Sequence, residues 1–166
     1  MMRIYLALGS NLGDRENYLR SGILSLANRD IHIIRCASLY STEPREIIDQ
    51  PWFLNTAIEG TTILTPGDLL ETCLEIEKDN HRTRDGTKGP RTLDVDIIFY
   101  GNETIRTTGL TIPHPSFSAR RFVLAPLAEI APDFVDPVSG KTVSQLLETC
   151  PDRAEVRQVG PLQEPS

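Results

Sequence analysis

The feature that narrows the fold most is the run Leu93-Asp94-Val95-Asp96-Ile97-Ile98-Phe99-Tyr100. Its alternation of apolar and polar side chains has the period of a strand. Leu93, Val95, Ile97 and Phe99 are expected on one face, and Asp94 and Asp96 on the other. Strand residues two apart lie roughly 7 Å apart at a rise of about 3.3 Å per residue. Two carboxylates so placed can converge on one metal ion, or on a pair about 4 Å apart. Carboxylate oxygens suit hard cations, and Mg²⁺ usually takes one or two carboxylates together with substrate phosphates.

Immediately upstream, residues 82–91 carry three arginines, one lysine, one aspartate and two glycines. This loop is basic in a chain whose formal net charge is −6. A basic loop feeding into an acidic strand suits phosphoryl chemistry. Carboxylates hold the metal, and guanidinium groups neutralise charge on the transferring group. Alone, the aspartate pair reads equally well as a solvated strand face; the adjoining loop tips the reading towards metal-dependent phosphoryl transfer.

At 166 residues the chain is most simply one domain. A pI near 5.1 argues against a general nucleic-acid binder, which shows a broad basic face. Cys36, Cys73 and Cys150 are odd in number and widely spaced, which argues for reduced thiols and against a disulfide framework or zinc site. The apolar run at residues 4–8 is too short for a signal-peptide core, and no segment approaches the roughly 20 apolar residues that span a bilayer. The expectation is a cytoplasmic protein, acting as a monomer on small molecules, without nucleic acid or membrane. One catalytic domain is expected over residues 1–150, followed by a polar, loosely held tail over 151–166.

In chain order, residues 4–8 read as a buried strand that breaks at Gly9-Ser10-Asn11-Leu12-Gly13-Asp14. A helix follows, with Leu19, Ile23 and Leu26 at helical spacing and Asp14 as its N-cap. Strand, glycine loop and helix suggest a phosphate cradle, although tight-turn glycines explain the loop equally well and neither common phosphate-loop pattern is present. Residues 31–40 read as a second strand and 52–62 as a third. In the third, Asn55 beside Phe53 can bind the edge of a flat heterocycle while the ring stacks; spacing alone favours Asn55 as a turn cap and Phe53 as core. Thr65-Pro66 is a strong helix start, and Leu69, Cys73 and Ile76 form the helix's apolar stripe. Glu77 continues that stripe towards the basic loop. Gly101-Asn102 signals a turn, and a short polar strand pair runs to Thr111. His114, held between two prolines, precedes helices at 122–131 and 142–150. The order strand, helix, strand, strand, helix, strand predicts a ferredoxin-like α+β sandwich. Its antiparallel sheet carries helices on one face, with a C-terminal hairpin and short helices added.

The run GPRTLDVDI resembles the signature of the 6-hydroxymethyl-7,8-dihydropterin pyrophosphokinases of folate biosynthesis. Further collinear matches are ALGSNLGDR, Tyr40-Ser41-Thr42-Glu43-Pro44, Gln50-Pro51-Trp52-Phe53-Leu54-Asn55, the helix end at Glu77, Arg82-Thr83-Arg84, and LTIPHP followed by Arg121-Phe122. They cover roughly residues 3–135, and the family's core fold is the same sandwich. The resemblance implies that Asp94 and Asp96 bind two Mg²⁺ ions and that Arg82 and Arg91 are catalytic. It implies a pterin pocket of Thr42, Asn55, Phe53 and Phe122, the two rings sandwiching the heterocycle. It places Glu77, Arg84, Ile97, Thr111, His114 and Arg120 at the ATP site. The implied reaction moves the β,γ-pyrophosphoryl group of ATP, the co-substrate, to the pterin hydroxymethyl oxygen and releases AMP.

Three positions depart from the family pattern. Lys88 stands where an aromatic residue is common, His81 where a glycine is common, and Gly109 where an arginine is common. They bear on loop closure and nucleotide grip and leave the metal and catalytic positions intact. The competing readings fare less well. Another Mg²⁺-dependent phosphoryl-transfer enzyme or a two-metal nuclease would use the aspartates, but a nuclease needs a basic groove that this acidic chain does not advertise. A ferredoxin-like RNA-binding module needs exposed aromatics in a pattern absent here.

Overall fold

The computed structural model describes residues 1–43, 52–80 and 92–162. Strand β1 (Met2–Ser10) leads to helix α1 (Arg15–Ala27), strands β2 (Ile31–Cys36), β3 (Leu39–Thr42) and β4 (Phe53–Thr62), and helix α2 (Pro66–Asp79). Strand β5 (Asp94–Tyr100) follows, then the β6 (Ile105–Thr107) and β7 (Leu110–Ile112) hairpin, helices α3 (Arg121–Ile130) and α4 (Val143–Glu148), and strand β8 (Val156–Gly160). The main sheet is antiparallel in the order β5-β1-β4-β3-β8, with β2 also paired to β4. This is the ferredoxin-like order, its second strand split in two. The expected strand at 31–40 breaks because β2 ends against Ile58 and β3 resumes against Asn55. Ala37 bridges the gap, its N–H donating to the Ala57 carbonyl at 2.8 Å.

Local chemistry starts the helices where the sequence predicts. The Asp14 side chain accepts from the Asn17 N–H at 3.2 Å, and the Thr65 hydroxyl accepts from the Asp68 N–H at 3.2 Å with Pro66 opening α2. Helix α1 comes down on the sheet at Gly22, where an added Cβ would lie 2.9 Å from Leu93 Cδ2. On that face Ile4, Leu6, Leu8, Ile58, Val95 and Ile97 pack against Leu19 and Leu26 of α1 and Leu69, Cys73 and Ile76 of α2. On the other face Tyr5, Ala7, Ala57 and Phe99 meet Val123, Leu124, Leu127 and Ile130 of α3 and Val143 and Leu146 of α4. The two core helices thus share one face, and the short C-terminal helices cover the other. A strand buried on both sides explains why residues 4–8 form an unbroken apolar run.

Two expectations are corrected. Phe99 does not share the face of Val95 and Ile97. Tyr5 pairs with Phe99 but Leu6 pairs with Ile97, so Ile98 is a bulge and every side chain after it changes sides. Residues 156–160 are not a loose tail: they form β8, which pairs with β3 from Leu39 to Thr42. Among the described residues no helix is long and apolar enough to cross a membrane.

Candidate active site

Register across three strands builds the site. Gly9 of β1 lies opposite both Asn55 of β4 and Asp94 of β5, and the next row on the same face is Ala57, Ala7 and Asp96. Directly paired residues point to the same side, and strands lie about 4.8 Å apart. Asn55 and Asp94 therefore face the same way on the order of 10 Å apart, over a floor of the small residues Gly9 and Ala7. This floor was missed in the sequence, although its signal is there: small residues alternate with leucine in Leu6-Ala7-Leu8-Gly9. The close approach is tight, since a Cβ on Gly9 would lie 2.5 Å from Asn55 Oδ1.

The amide of Asn55 is held from its other end. Its Nδ2 donates to the Thr42 hydroxyl at 2.7 Å, and both side chains are buried, Asn55 5% and Thr42 2% exposed. Phe53 pairs with Thr42 on the same face and is half-buried. Asn55 is therefore neither a turn cap nor a solvated polar residue. It is a fixed amide whose carbonyl oxygen crosses the small floor, suited to reading the edge of a heterocycle. Ser10, at the end of β1, has a fully buried hydroxyl with no hydrogen-bond partner among the described residues.

Asp94 and Asp96 are partly exposed on this face, while the alternating Val95 and Ile97 are buried in the core on the opposite face. His114 stands near Asp96 and Arg120. Burial pushes its imidazole pKa down, Asp96 opposes that shift and Arg120 adds to it. The loop fixes the ring: the His114 N–H donates to the Ile98 carbonyl at 3.1 Å, and Nδ1 accepts from the Ser116 N–H at 3.1 Å. Arg120 occupies the N-cap position of α3, without a side-chain capping bond, and its guanidinium lies 5.9 Å from the Phe122 ring centroid. Phe122 is half-buried against the α3 core cluster.

The other expected positions lie around β5 or outside the described residues. Glu77 is 3% exposed, and its Oε2 accepts the Val95 N–H at 2.9 Å, on the strand's side away from β1. It is a buried carboxylate that pins the peptide between the two aspartates. With burial the leading cause, Glu77 and Asp96 push the Cys73 thiol up to about 12. The Ile97 side chain is spent in the core, so only its backbone remains for a nucleotide. Thr111 is exposed on β7, paired with Arg106 in the hairpin that packs beside β5. Arg82, Arg84 and Arg91, with His81 and Lys88, lie outside the described residues.

The donor set fits a hard cation. Two carboxylates face out together, and among the described residues no group of three or more His, Cys, Asp or Glu side chains is placed to hold a metal. Such a pair leaves coordination positions for phosphate oxygens, the usual arrangement for Mg²⁺.

A ferredoxin-like sheet that presents paired carboxylates beside a fixed amide defines an α+β enzyme of the phosphoryl-transfer class. The chain belongs to the 7,8-dihydro-6-hydroxymethylpterin-pyrophosphokinase family, whose model matches residues 5–132. It is 47% identical over 127 residues to the 2-amino-4-hydroxy-6-hydroxymethyldihydropteridine pyrophosphokinase of Bacillus subtilis, covering 76% of each chain. It is 43% identical over 148 residues to the enzyme of that name from Methylorubrum extorquens, covering 89% of this chain and 92% of that one. Among solved structures, a Plasmodium falciparum HPPK-DHPS superposes with a TM-score of 0.71 at 16% identity. That match covers 89% of this chain and 45% of the longer solved chain, and so carries the fold alone.

Proposed function

We infer that the face built by Asn55, Gly9 and Asp94 carries the family's reaction. The chain transfers the β,γ-pyrophosphoryl group of ATP to the hydroxymethyl oxygen of 6-hydroxymethyl-7,8-dihydropterin, a step of folate biosynthesis. The hydroxymethyl oxygen forms a bond to the β-phosphorus while the bond from that phosphorus to the α,β-bridging oxygen breaks, and AMP leaves. The observation that supports the reading is the three-strand register, which sets the Asn55 amide and two carboxylates on one face over the small residues Gly9 and Ala7.

In this reading the pterin lies over Gly9, its edge bound by Asn55 and Thr42 and its faces covered by Phe53 and Phe122. Aromatic stacking of that kind contributes about 1–3 kcal/mol per ring. Asp94 and Asp96 are the side chains that would hold two Mg²⁺ ions. Bound there, the ions would neutralise and orient the phosphates. Glu77 fixes the strand that bears the aspartates. His114, Arg120 and Thr111, with the Ile97 backbone, border the nucleotide side. Arg82, Arg84 and Arg91 supply positive charge to the phosphates, Arg82 and Arg91 to the transferring group.

Product analysis tests the reaction. With ATP, Mg²⁺ and the hydroxymethylpterin, mass spectrometry of a single-turnover mixture should find AMP and the pterin diphosphate. ADP as the main nucleotide product would make the protein an ordinary kinase and overturn the reading.

A further inference from the structure

Residues 150–160 lie beyond the stretch matched by the family model, yet three separate contacts tie them to the walls of the proposed pterin pocket. The first is the sheet itself. Strand β8 pairs Val156 with Thr42 and Arg157 with Ser41, and the Glu155 N–H donates to Glu43 Oε1 at 2.7 Å. The hydroxyl that holds Asn55 therefore sits on a strand that β8 braces from outside. The second contact reaches α3. Arg120, the residue at its N-cap position, makes no side-chain capping bond; instead Oδ2 of Asp152 accepts the Arg121 N–H at 3.1 Å. Asp152 is only 9% exposed, and its Oδ1 accepts the Ala154 N–H at 2.9 Å, so the carboxylate is locked in place. The residue after Arg121 is Phe122. The third contact is at Trp52, immediately before Phe53. The Arg157 guanidinium lies 5.4 Å from the Trp52 ring centroid and is itself ion-paired to Glu155 at 2.7 Å.

We propose that the segment from Asp152 to Arg157 is a positioning element for the pterin pocket. Asp152 sets Phe122 through the first turn of α3, and Arg157 sets Phe53 through Trp52. The proposal rests on the pterin-pocket reading above. A helix start capped by a distant carboxylate is fixed relative to that carboxylate, and a negative charge there also suits the helix dipole. With β3 and α3 both anchored to one short segment, the gap between the two rings is set by residues that touch no substrate.

Four variants test this: Asp152→Ala, Asp152→Asn, Arg157→Ala and Phe122→Ala. Three quantities are read on each: hydroxymethylpterin affinity with Mg²⁺ and a non-hydrolysable ATP analogue present, the analogue's own affinity, and amide exchange at Arg121. Asp152→Ala should weaken pterin binding about tenfold, on the scale of a lost helix cap, and speed exchange at Arg121 while analogue affinity stays within about twofold. Asp152→Asn keeps an acceptor oxygen and should restore most of the binding. Arg157→Ala, at an exposed position that tolerates truncation, should weaken pterin binding about threefold. It keeps the test open if Asp152→Ala does not fold. Parental pterin affinity in both Asp152→Ala and Arg157→Ala would overturn the proposal, as would equal losses for pterin and analogue. Phe122→Ala separates the two readings. If it loses pterin while the Asp152 and Arg157 variants do not, only the positioning role fails. If it binds pterin normally, the pocket itself is misassigned and the proposal falls with it.

Discussion

Gly9 shows how much a single residue can decide. It has no unusual backbone angle that would demand glycine, and an added methyl would point into Asn55 Oδ1 at 2.5 Å. Gly9→Ala must push that amide away from the Thr42 hydroxyl, to which it is bonded at 2.7 Å. Leaving buried polar groups unpaired costs about 1–3 kcal/mol. The expected result is a Gly9→Ala protein with pterin affinity lowered about tenfold or more, by the same 1–3 kcal/mol, and ATP affinity little changed. Titration calorimetry with each ligand checks it, and parental pterin affinity would show that the amide does not read the substrate. The alternation Leu6-Ala7-Leu8-Gly9 marks Gly9 only as a small residue on one face; its partner lies 46 positions away, and only the β1–β4 register brings the two together.

At the scale of elements, β5 and α2 form one unit. The edge strand β5 has an outward N–H at Val95 that the sheet does not use, and Glu77 of α2 takes it at 2.9 Å. Glu77→Leu should leave that N–H unsatisfied and lower stability by about 1–3 kcal/mol, whereas Glu77→Gln keeps an acceptor and should lose much less. Urea denaturation together with amide exchange at Val95 distinguishes this from a nucleotide contact. If Glu77→Gln keeps its stability but loses ATP affinity, the carboxylate acts on the nucleotide. The elements themselves were legible in the sequence. Thr65-Pro66 started α2, Asp14 capped α1, and the Asp-x-Asp alternation placed both carboxylates outward. What was not legible came from tertiary pairing. Val156-Arg-Gln-Val-Gly160 has too few apolar residues to announce a strand, and it becomes one because β3 offers an open edge. The bulge at Ile98 was hidden as well, since an apolar run from Ile97 to Tyr100 looks the same with or without an extra residue.

Considered whole, the molecule is a sheet covered on both sides, and the second cover comes late in the chain. Tyr5, Phe99, Phe117 and Phe134 pack together, with Phe99 4.6 Å from Phe134 and 5.1 Å from Phe117 between ring centroids. Helix α3 is fastened over the same face by Glu129, which accepts from the Tyr40 hydroxyl at 2.6 Å and from the Ser38 N–H at 3.0 Å. A chain ending at Ala119 would bare this face, because α3, α4 and Phe134 would all be gone. Such a truncation should aggregate or bind a hydrophobic dye strongly; a soluble, cooperatively melting product would show that α1 and α2 alone sustain the fold. The ferredoxin-like core and the paired carboxylates could be argued from residues up to about position 100. The covering layer could not, because its apolar residues show that something is buried without showing which face they bury.

The bulge at Ile98 also bears on the electric field at the site. By moving Phe99 to the face that carries Asp94 and Asp96, it ends the carboxylate-bearing half of the strand in an aromatic wall within three residues. The same irregularity frees the Ile98 carbonyl to hold His114 beside Asp96. Charges bordered by such a wall lie next to a low-dielectric medium on that side, where Coulomb interactions are several times stronger than in open water. One extra residue in a strand thus makes the carboxylates' half of the pocket more responsive to the charge of whatever binds there.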